Sequence, residues 1–158
     1  MGIAIEARCR HVKTTVEWKE GMVFEGATET GFHVTTAAHP AAGEHARGPL
    51  PMELVLIAAG SCTAMDVADI LRKMRQPFTG LTVDVDADRR DEHPKIFSAI
   101  RLHYTVRGRR LDRSQVERAI QLSQERYCSV AAMLRPTVPL TYTWEIREEA
   151  PELLRMTA

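Results

Sequence analysis

The sequence has few cysteines and no excess of charge, and each shortage excludes a class of protein. Its 158 residues contain three cysteines, Cys9, Cys62 and Cys128, and no two of them have a CxxC spacing. Three scattered cysteines are too few for a secreted disulfide scaffold, and they disfavour a structural zinc site. Basic and acidic residues both number 21. The net charge therefore gives no reason to expect a nucleic acid or an anionic membrane as a partner.

Long apolar runs, targeting signals and common catalytic motifs are also missing. The most apolar stretch, Leu54 to Met65, has 12 residues and ends at Asp66, whereas a membrane span needs about 20. Near the N-terminus, Glu6 and Arg8 stand where a signal peptide would be apolar. No GxxxxGK[ST], GxGxxG, GxSxG or HExxH motif occurs. We therefore predict a soluble, cytoplasmic protein with no cofactor, no metal, and neither a membrane nor a nucleic acid as partner.

Three segments alternate apolar and polar residues with a period of two, which is the pattern of a strand with one buried face. They are Leu81–Ala87, Ile100–Val106 and Leu140–Ile146. A short charged stretch with Pro94 joins the first two, and we predict that all three lie in one antiparallel sheet. In the N-terminal third, β-branched runs separated by glycines predict three or four short strands, followed by a loop over residues 37–50.

Two segments have helical patterns. The first runs from Pro51 to about Arg75, and its first half is apolar nearly all round, a pattern that requires cover on every side. Because one small sheet covers only one side, we predict an obligate dimer with this helix at its centre. The second helix begins at Asp112, a good N-cap with Gln115 three residues later. The predicted order is βββ(β)-α-ββ-α-β, an α+β domain with a mostly antiparallel sheet.

Two cysteines are the candidates for chemistry. Cys62 lies in a run of small residues, where Gly60 costs roughly 1 kcal/mol relative to alanine and suggests that a backbone or a substrate needs the space. Cys128 follows the second helix and is a candidate resolving thiol, because a sulfenic acid condenses readily with a nearby thiol. Read from the residues alone, each is also compatible with a buried thiol that only packs. Asp66 and Asp69 are interpreted as a solvated or helix-pairing face.

Three segments in order carry a family resemblance. PMELVLIAAGSCTAMDVADILRKMRQ, PKIFSAIRLHYTVRGRRL and QLSQERYCSVAAML resemble the OsmC/Ohr family of osmotically inducible and organic-hydroperoxide-resistance proteins, in particular its YhfA-type branch. The resemblance runs from about His11 to Ile146. It implies one OsmC-like domain over residues 1–158, with residues 1–10 and 147–158 as terminal extensions. The implied fold is α+β, an intertwined homodimer whose antiparallel sheets wrap long central helices.

The resemblance also implies an activity. Members of this kind are thiol peroxidases that reduce organic hydroperoxides at the expense of small thiols. Carried over, Cys62 matches the peroxidatic position and Cys128 the resolving one. In such peroxidases a Pro-Glu pair opens the helix and its Glu orients an activating Arg; here Glu53 follows Pro51 by two residues, and Arg47 is the nearest upstream arginine. The alternative is a non-enzymatic dimer of the same fold that binds a hydrophobic small molecule or senses oxidants through Cys62.

Overall fold

The computed structural model describes residues 11–39 and 45–149. The predicted N-terminal extension and Cys9 lie outside this part of the chain, as do residues 150–158 of the predicted C-terminal extension. Arg147 and Glu148, which the resemblance also assigns to that extension, belong instead to the last strand of the fold.

The chain forms two compact units, Met1–Leu54 and Val55–Ala158, called the first and the second unit below. One long helix, α1 (Pro51–Lys73), begins in the first unit and continues in the second. The architecture is α+β, as the sequence predicts. That the whole chain acts as one domain stays a prediction.

The first unit contains an antiparallel sheet of three strands within the described residues. They are β1 (Thr14–Glu20), β2 (Val23–Thr28) and β3 (His33–Ala37), neighbours in that order. Gly21 and Gly31 have φ angles of +49° and +87° in the two connecting turns, a backbone conformation that residues with a side chain rarely adopt. The predicted N-terminal meander is confirmed, because each strand pairs with the next through such a turn.

The end of α1 is close to the predicted one. Arg75 has a φ of +56°, so the backbone leaves the helical conformation there. The N–H groups of Arg75 and Gln76 donate to the carbonyls of Arg72 and Leu71, both at 2.9 Å. These two bonds form a Schellman motif, which satisfies the last carbonyls of a helix. The helix therefore ends at Lys73, two residues before the predicted position.

The second unit contains a mixed sheet in the order β4-β5-β6. Its strands are β4 (Phe78–Arg89), β5 (Phe97–Gly108) and β6 (Leu140–Glu148). β4 and β5 pair antiparallel, as predicted, but β5 and β6 pair parallel, with Ile100 opposite Leu140. The prediction that all three strands are antiparallel is therefore wrong for the last pair.

The connection between β5 and β6 explains the parallel pairing. It contains the helix α2 (Arg113–Leu122), a π-helical turn (Ser123–Tyr127) and the short helix α3 (Ser129–Leu134). Such a crossover carries the chain back along the sheet, so the next strand runs in the same direction as the first. The period-two pattern identifies each strand, but it contains no information about strand direction.

The central strand β5 supplies much of the core. Ile100, Leu102, Tyr104 and Val106 alternate along it, and each is at most 2% exposed. α1 packs closely on the neighbouring strand, since a Cβ atom added to Gly60 would lie 2.8 Å from Cγ2 of Val85. The space that Gly60 leaves is therefore occupied by β4.

The rest of α1 is less covered. By length and composition it is the one helix among the described residues that is apolar enough to cross a membrane, with a mean hydropathy of 1.8 over 18 residues, of which 28% are buried. Core helices of soluble proteins also satisfy this test. Ile57 and Met65, two turns apart on α1, are 58% and 68% exposed.

Candidate thiol site

The two cysteines of the second unit meet. Cys62 lies on α1 and is half-buried, and Asp66 follows it one helical turn later on the same face. Cys128 lies between the π-helical turn and α3 and is 3% exposed. The two Sγ atoms and a carboxylate oxygen of Asp66 all lie within 4.8 Å of one another. We refer to these three residues as the thiol cluster.

Local structure fixes the position of Cys128. α2 begins at Asp112, as predicted, and Oδ1 of Asp112 accepts hydrogen bonds from the N–H groups of Ser114 and Gln115. After the π-helical turn the backbone of Cys128 is extended, and its N–H donates to the carbonyl of Ser123 at 2.8 Å. The Cys128 Sγ accepts a hydrogen bond of 3.4 Å from the N–H of Ala131 at the start of α3. The backbone of Cys128 is thus held by Ser123, and its sulfur by Ala131.

A buried chain of hydroxyl groups leads to Asp66. The Ser123 hydroxyl donates to the Asp66 carboxylate at 3.0 Å and lies 2.8 Å from the Thr63 hydroxyl, which lies 2.7 Å from the Tyr104 hydroxyl. Ser123 has a single hydroxyl proton, and the carboxylate uses it. Thr63 must therefore donate to Ser123, and Tyr104 to Thr63. Every hydroxyl in the chain points its proton towards Asp66.

At the Tyr104 end of this chain of hydroxyl groups, Gln124 supplies further hydrogen-bond donors. The side-chain N–H₂ of Gln124 donates to Tyr104 at 2.6 Å and to Thr63 at 3.1 Å. The Gln124 carbonyl oxygen in turn accepts from Arg135 Nη2 at 2.7 Å. Because Arg135 can only donate, the amide orientation of Gln124 follows from the network. These buried polar groups are all satisfied, so the site is rigid.

Burial changes the acidity of two groups in this region. It raises the pKa of the Cys128 thiol to about 11, while the hydrogen bond from Ala131 has a smaller, opposite effect. Burial also raises the pKa of Tyr104 to about 12, against the opposing hydrogen bonds to Thr63 and Gln124. Cys128 is therefore a thiol and Tyr104 a phenol at neutral pH.

The other two predicted site residues make contacts within the first unit. Arg47 forms an ion pair with Glu20 through Nη1. The Glu53 carboxylate accepts the N–H of Leu50 at 2.8 Å, which is the contact that the third residue of a helix makes in a capping box. In the described contacts, Arg47 and Glu53 therefore stabilise the sheet and the helix start of their own unit.

Sequence reasoning missed Asp66 and its hydroxyl partners. It grouped Asp66 with Asp69 as a solvated or helix-pairing face. Asp69 is solvated, since it pairs with Lys73 at 2.6 Å in an exposed position. The available signal was the four-residue spacing from Cys62 to Asp66, which places both on one helix face. Ser123 gave no such signal because its role depends on the π-helical turn.

A cavity of about 490 Å³ adjoins the cluster in the second unit, and Asp66 belongs to its wall. The wall combines apolar side chains with an ion pair at one end. It is formed by Asp66, Asp69, Ile70, Lys73, Met74, Leu122 and Tyr127. The cavity gives small molecules a route to the neighbourhood of the thiols.

The mixed sheet, the long helix with Cys62 and the crossover with Cys128 are the features of an OsmC-like protein. Residues 43–143 match the family model described as "OsmC-like protein", and the chain belongs to this family. The family predicted from the three sequence segments is thereby confirmed.

Individual relatives agree with this assignment. The chain is 42% identical to Protein YhfA of Escherichia coli over 135 residues, which are 85% of this chain and 98% of the relative. A crystal structure of a hypothetical protein from Aquifex aeolicus is 32% identical, with a TM-score of 0.79 over 89% of this chain and 98% of that one. An organic hydroperoxide resistance protein from Elizabethkingia anophelis shares the fold at 13% identity, with a TM-score of 0.64 over 87% and 96% of the two chains.

Proposed function

We propose that this protein is a thiol peroxidase that reduces organic hydroperoxides, with Cys62 as the peroxidatic and Cys128 as the resolving cysteine. The observation that carries the proposal is the approach of the two Sγ atoms to within 4.8 Å. At that distance, rotation of the side chains is enough to bring the sulfurs towards bonding distance. Structural neighbours named as organic hydroperoxide resistance proteins support the choice of substrate.

The proposed reaction has two steps. The Cys62 thiolate attacks the outer oxygen of the hydroperoxide, the O–O bond breaks, and the alkoxide leaves as an alcohol after taking up a proton. Cys62 is then a sulfenic acid. Cys128 attacks its sulfur, a disulfide forms, and the hydroxyl leaves as water with the proton that Cys128 loses. Two electrons from the two thiols reduce the peroxide, and two equivalents of a small-molecule or lipoyl-type thiol restore them.

The surroundings of Cys128 fit the resolving role. Its raised pKa keeps it protonated until Cys62 has been oxidised, so it does not compete for the peroxide. Asp66 lies within 4.8 Å of the same sulfur and can pass the Cys128 proton to the hydroxyl that leaves as water. The hydroxyl chain from Tyr104 through Ser123 holds that carboxylate in place.

Activation of Cys62 requires a cation, because only the thiolate attacks a peroxide. We propose that the cation is a guanidinium from the loop before Pro51 or from a second copy of the chain. Arg47 is the candidate for this guanidinium, and Glu53 is the candidate for the carboxylate that orients it. A homodimer provides such a second copy and covers the exposed apolar residues of α1, Ile57 and Met65. A cytoplasmic location fits the mechanism, since a reducing compartment keeps both thiols ready.

The proposal is tested by peptide mass spectrometry of the Cys9→Ser chain after exposure to cumene hydroperoxide. The unmodified site should lose both thiols and gain one intramolecular Cys62–Cys128 bond. In the additional variant Cys128→Ser, Cys62 should react once and accumulate as sulfenic or sulfinic acid. In the matched variant Cys62→Ser, Cys128 should stay reduced. A Cys62 that remains reduced in excess hydroperoxide contradicts the proposal.

The second candidate function is non-enzymatic binding of a hydrophobic small molecule. The observation that favours it is the cavity beside Asp66, whose wall includes Ile70, Met74 and Leu122. A pocket with apolar walls and a few polar groups is the usual form of a small-molecule site. If this function is correct, hydroperoxide leaves the thiols unchanged. An apolar dye should then bind in the cavity of the native protein, and its binding should be lost in the variant Ile70→Glu.

A further inference from the structure

The thiol cluster has the composition of a metal site as well as that of a redox pair. Among the described residues, Cys62, Asp66 and Cys128 form a group in which each can present one ligand atom to a common point, with all three atoms within 4.8 Å of one another. We propose that the reduced protein binds one thiophilic divalent cation, Zn²⁺ in particular, through the Cys62 and Cys128 sulfurs and an Asp66 oxygen. This site does not depend on peroxidase activity.

The dimensions of the cluster suit zinc. A tetrahedral zinc ion with bonds of about 2.3 Å to sulfur holds two sulfurs about 3.8 Å apart, so small side-chain rotations close the present separation. Cys62 and Asp66 are four residues apart on α1, which places both ligands on one helix face. Cys128 completes the set from the crossover. Three protein ligands leave a fourth position for water, the ligand number of open zinc sites.

Charge and protons also balance. Binding releases one proton from each thiol, and the two thiolates together with the Asp66 carboxylate carry three negative charges against two positive ones. The cation thus offsets the repulsion that the acidic side chain imposes on two neighbouring thiolates.

The supporting groups are those expected around a metal ligand. Asp66 accepts a hydrogen bond from Ser123, and Ser123 is held by Thr63, so the carboxylate is oriented before any ion arrives. Cys128 accepts the N–H of Ala131, which stabilises a thiolate. The cavity with Asp66 in its wall supplies an entry path for the cation and room for a water ligand.

Metal binding and disulfide formation exclude each other, because both use the lone pairs of the same two sulfurs. Oxidation of the cysteines therefore releases the cation, and the bound cation protects the thiols from peroxide. No sequence motif indicates this site, since its ligands have no CxxC or HExxH spacing.

The test titrates the reduced Cys9→Ser protein with Co²⁺ in the absence of oxygen. The expected result is one Co²⁺ per chain, tetrahedral d–d absorption, and a thiolate-to-cobalt band with the intensity of two thiolates, all removed by one equivalent of Zn²⁺. In weak buffer, Zn²⁺ should release one proton for each of the two cysteines that is protonated before binding. A band with the intensity of one thiolate, or none, overturns the proposal.

Variants at position 66 identify the third ligand. Asp66→Asn should weaken Zn²⁺ binding at least about tenfold, as expected for damage to a metal's ligand shell. Asp66→Cys should raise the thiolate-to-cobalt band by half, a gain that loss of folding cannot imitate. Glu117→Gln is the matched control, because Glu117 is exposed on α2 and lies outside the cavity wall, and it should leave binding unchanged. An unchanged band in Asp66→Cys excludes position 66 as a ligand.

Discussion

The two units of the chain treat their apolar side chains in opposite ways. In the first unit every residue of β1 is exposed, including Val16 at 67% and Trp18 at 60%. In the second unit the alternate residues of β5 are buried, and Tyr104 and Val106 are completely so. The first sheet therefore leaves the large apolar side chains of β1 exposed, whereas the second sheet packs its apolar side chains into a core.

The two units differ in how much apolar surface remains exposed to solvent. Burial of apolar surface contributes roughly 25 cal/mol per Å². Covering exposed side chains such as Trp18 and Phe32, which is 73% exposed, would therefore increase the free energy of unfolding. The same holds for the exposed face of α1. The second unit carries the thiol cluster and its rigid hydroxyl chain. The thiol cluster therefore lies in the unit with the larger core, whereas the exposed apolar side chains lie in the first unit and along α1 of the second unit.

The proposed dimer is the strongest test of this comparison. Light scattering of the native protein should give about twice the chain mass of 17.8 kDa at micromolar concentration. The double substitution Ile57→Lys and Met65→Lys places two charges on the exposed face of α1 and should give a single-chain mass, because buried unpaired charges are very unfavourable.

A matched control separates this effect from a general change in surface charge. Met133 is 78% exposed on α3, so Met133→Lys should leave the mass at two chains. Circular dichroism should show unchanged secondary structure in all variants. A native protein with the mass of one chain at these concentrations would mean that the exposed apolar residues need no cover.

Alkaline pH should destabilise the second unit specifically. The pKa values of Cys128 and Tyr104 are raised in the folded state, so the folded protein holds these protons more tightly than the unfolded chain. Their contribution to stability is complete below about pH 9 and is lost as pH rises through about 11 for Cys128 and about 12 for Tyr104. Each group should account for on the order of 2 kcal/mol, since one pKa unit corresponds to ~1.4 kcal/mol.

Urea unfolding of the reduced protein between pH 8 and 12 measures this loss. Cys128→Ala removes the part between about pH 9 and 11 and leaves the part assigned to Tyr104. The first unit should contribute little, because Lys19, which pairs with Glu25 there, has an exposed side chain, and exposed ion pairs contribute weakly. An identical pH profile for the wild type and Cys128→Ala contradicts the assignment.

A pair of glycine substitutions compares packing in the two units directly. Gly60→Val places its Cβ 2.8 Å from Cγ2 of Val85 and should lower the free energy of unfolding by about 1–3 kcal/mol, the usual cost of overpacking. Gly26→Val in β2 has its nearest contact at 3.7 Å, the carbonyl oxygen of Val34, and should change stability by less than about 0.5 kcal/mol. Urea midpoints measure both. Equal losses would show that the two sheets are packed to the same density.

Local patterns predicted much of the fold. The period-two segments, the N-cap at Asp112 and the end of α1 near Arg75 are each determined by residues close in sequence. The parallel direction of β6 depends on a crossover of more than thirty residues, so the alternation of Leu140–Ile146 contains no trace of it. Residues close in sequence determine whether a segment forms a helix or a strand. The strand with which it pairs, and the direction of that pairing, depend on the tertiary fold.

The residues of the candidate site also differ in whether the sequence alone could identify them. Cys62 and Cys128 were found because thiols are rare and each lies at a distinctive place. Asp66 was misread because its importance comes from Cys128, which lies far along the chain and reaches it only through the fold. Arg47 could not be paired with Glu20 from the sequence, since 27 positions and a whole sheet separate them.

The parallel pairing of β5 with β6 also sets the order in which the thiol cluster comes into existence. Ile100 pairs with Leu140, and Cys128 lies in the crossover between them. Closing such a long connection lowers the entropy of the chain before stabilising contacts can form, so we expect this pairing to form late in folding. On the ribosome β6 is the last described strand to be made, and Cys62 emerges long before it. A nascent chain therefore presents the Cys62 thiol before the fold has brought Cys128 next to it.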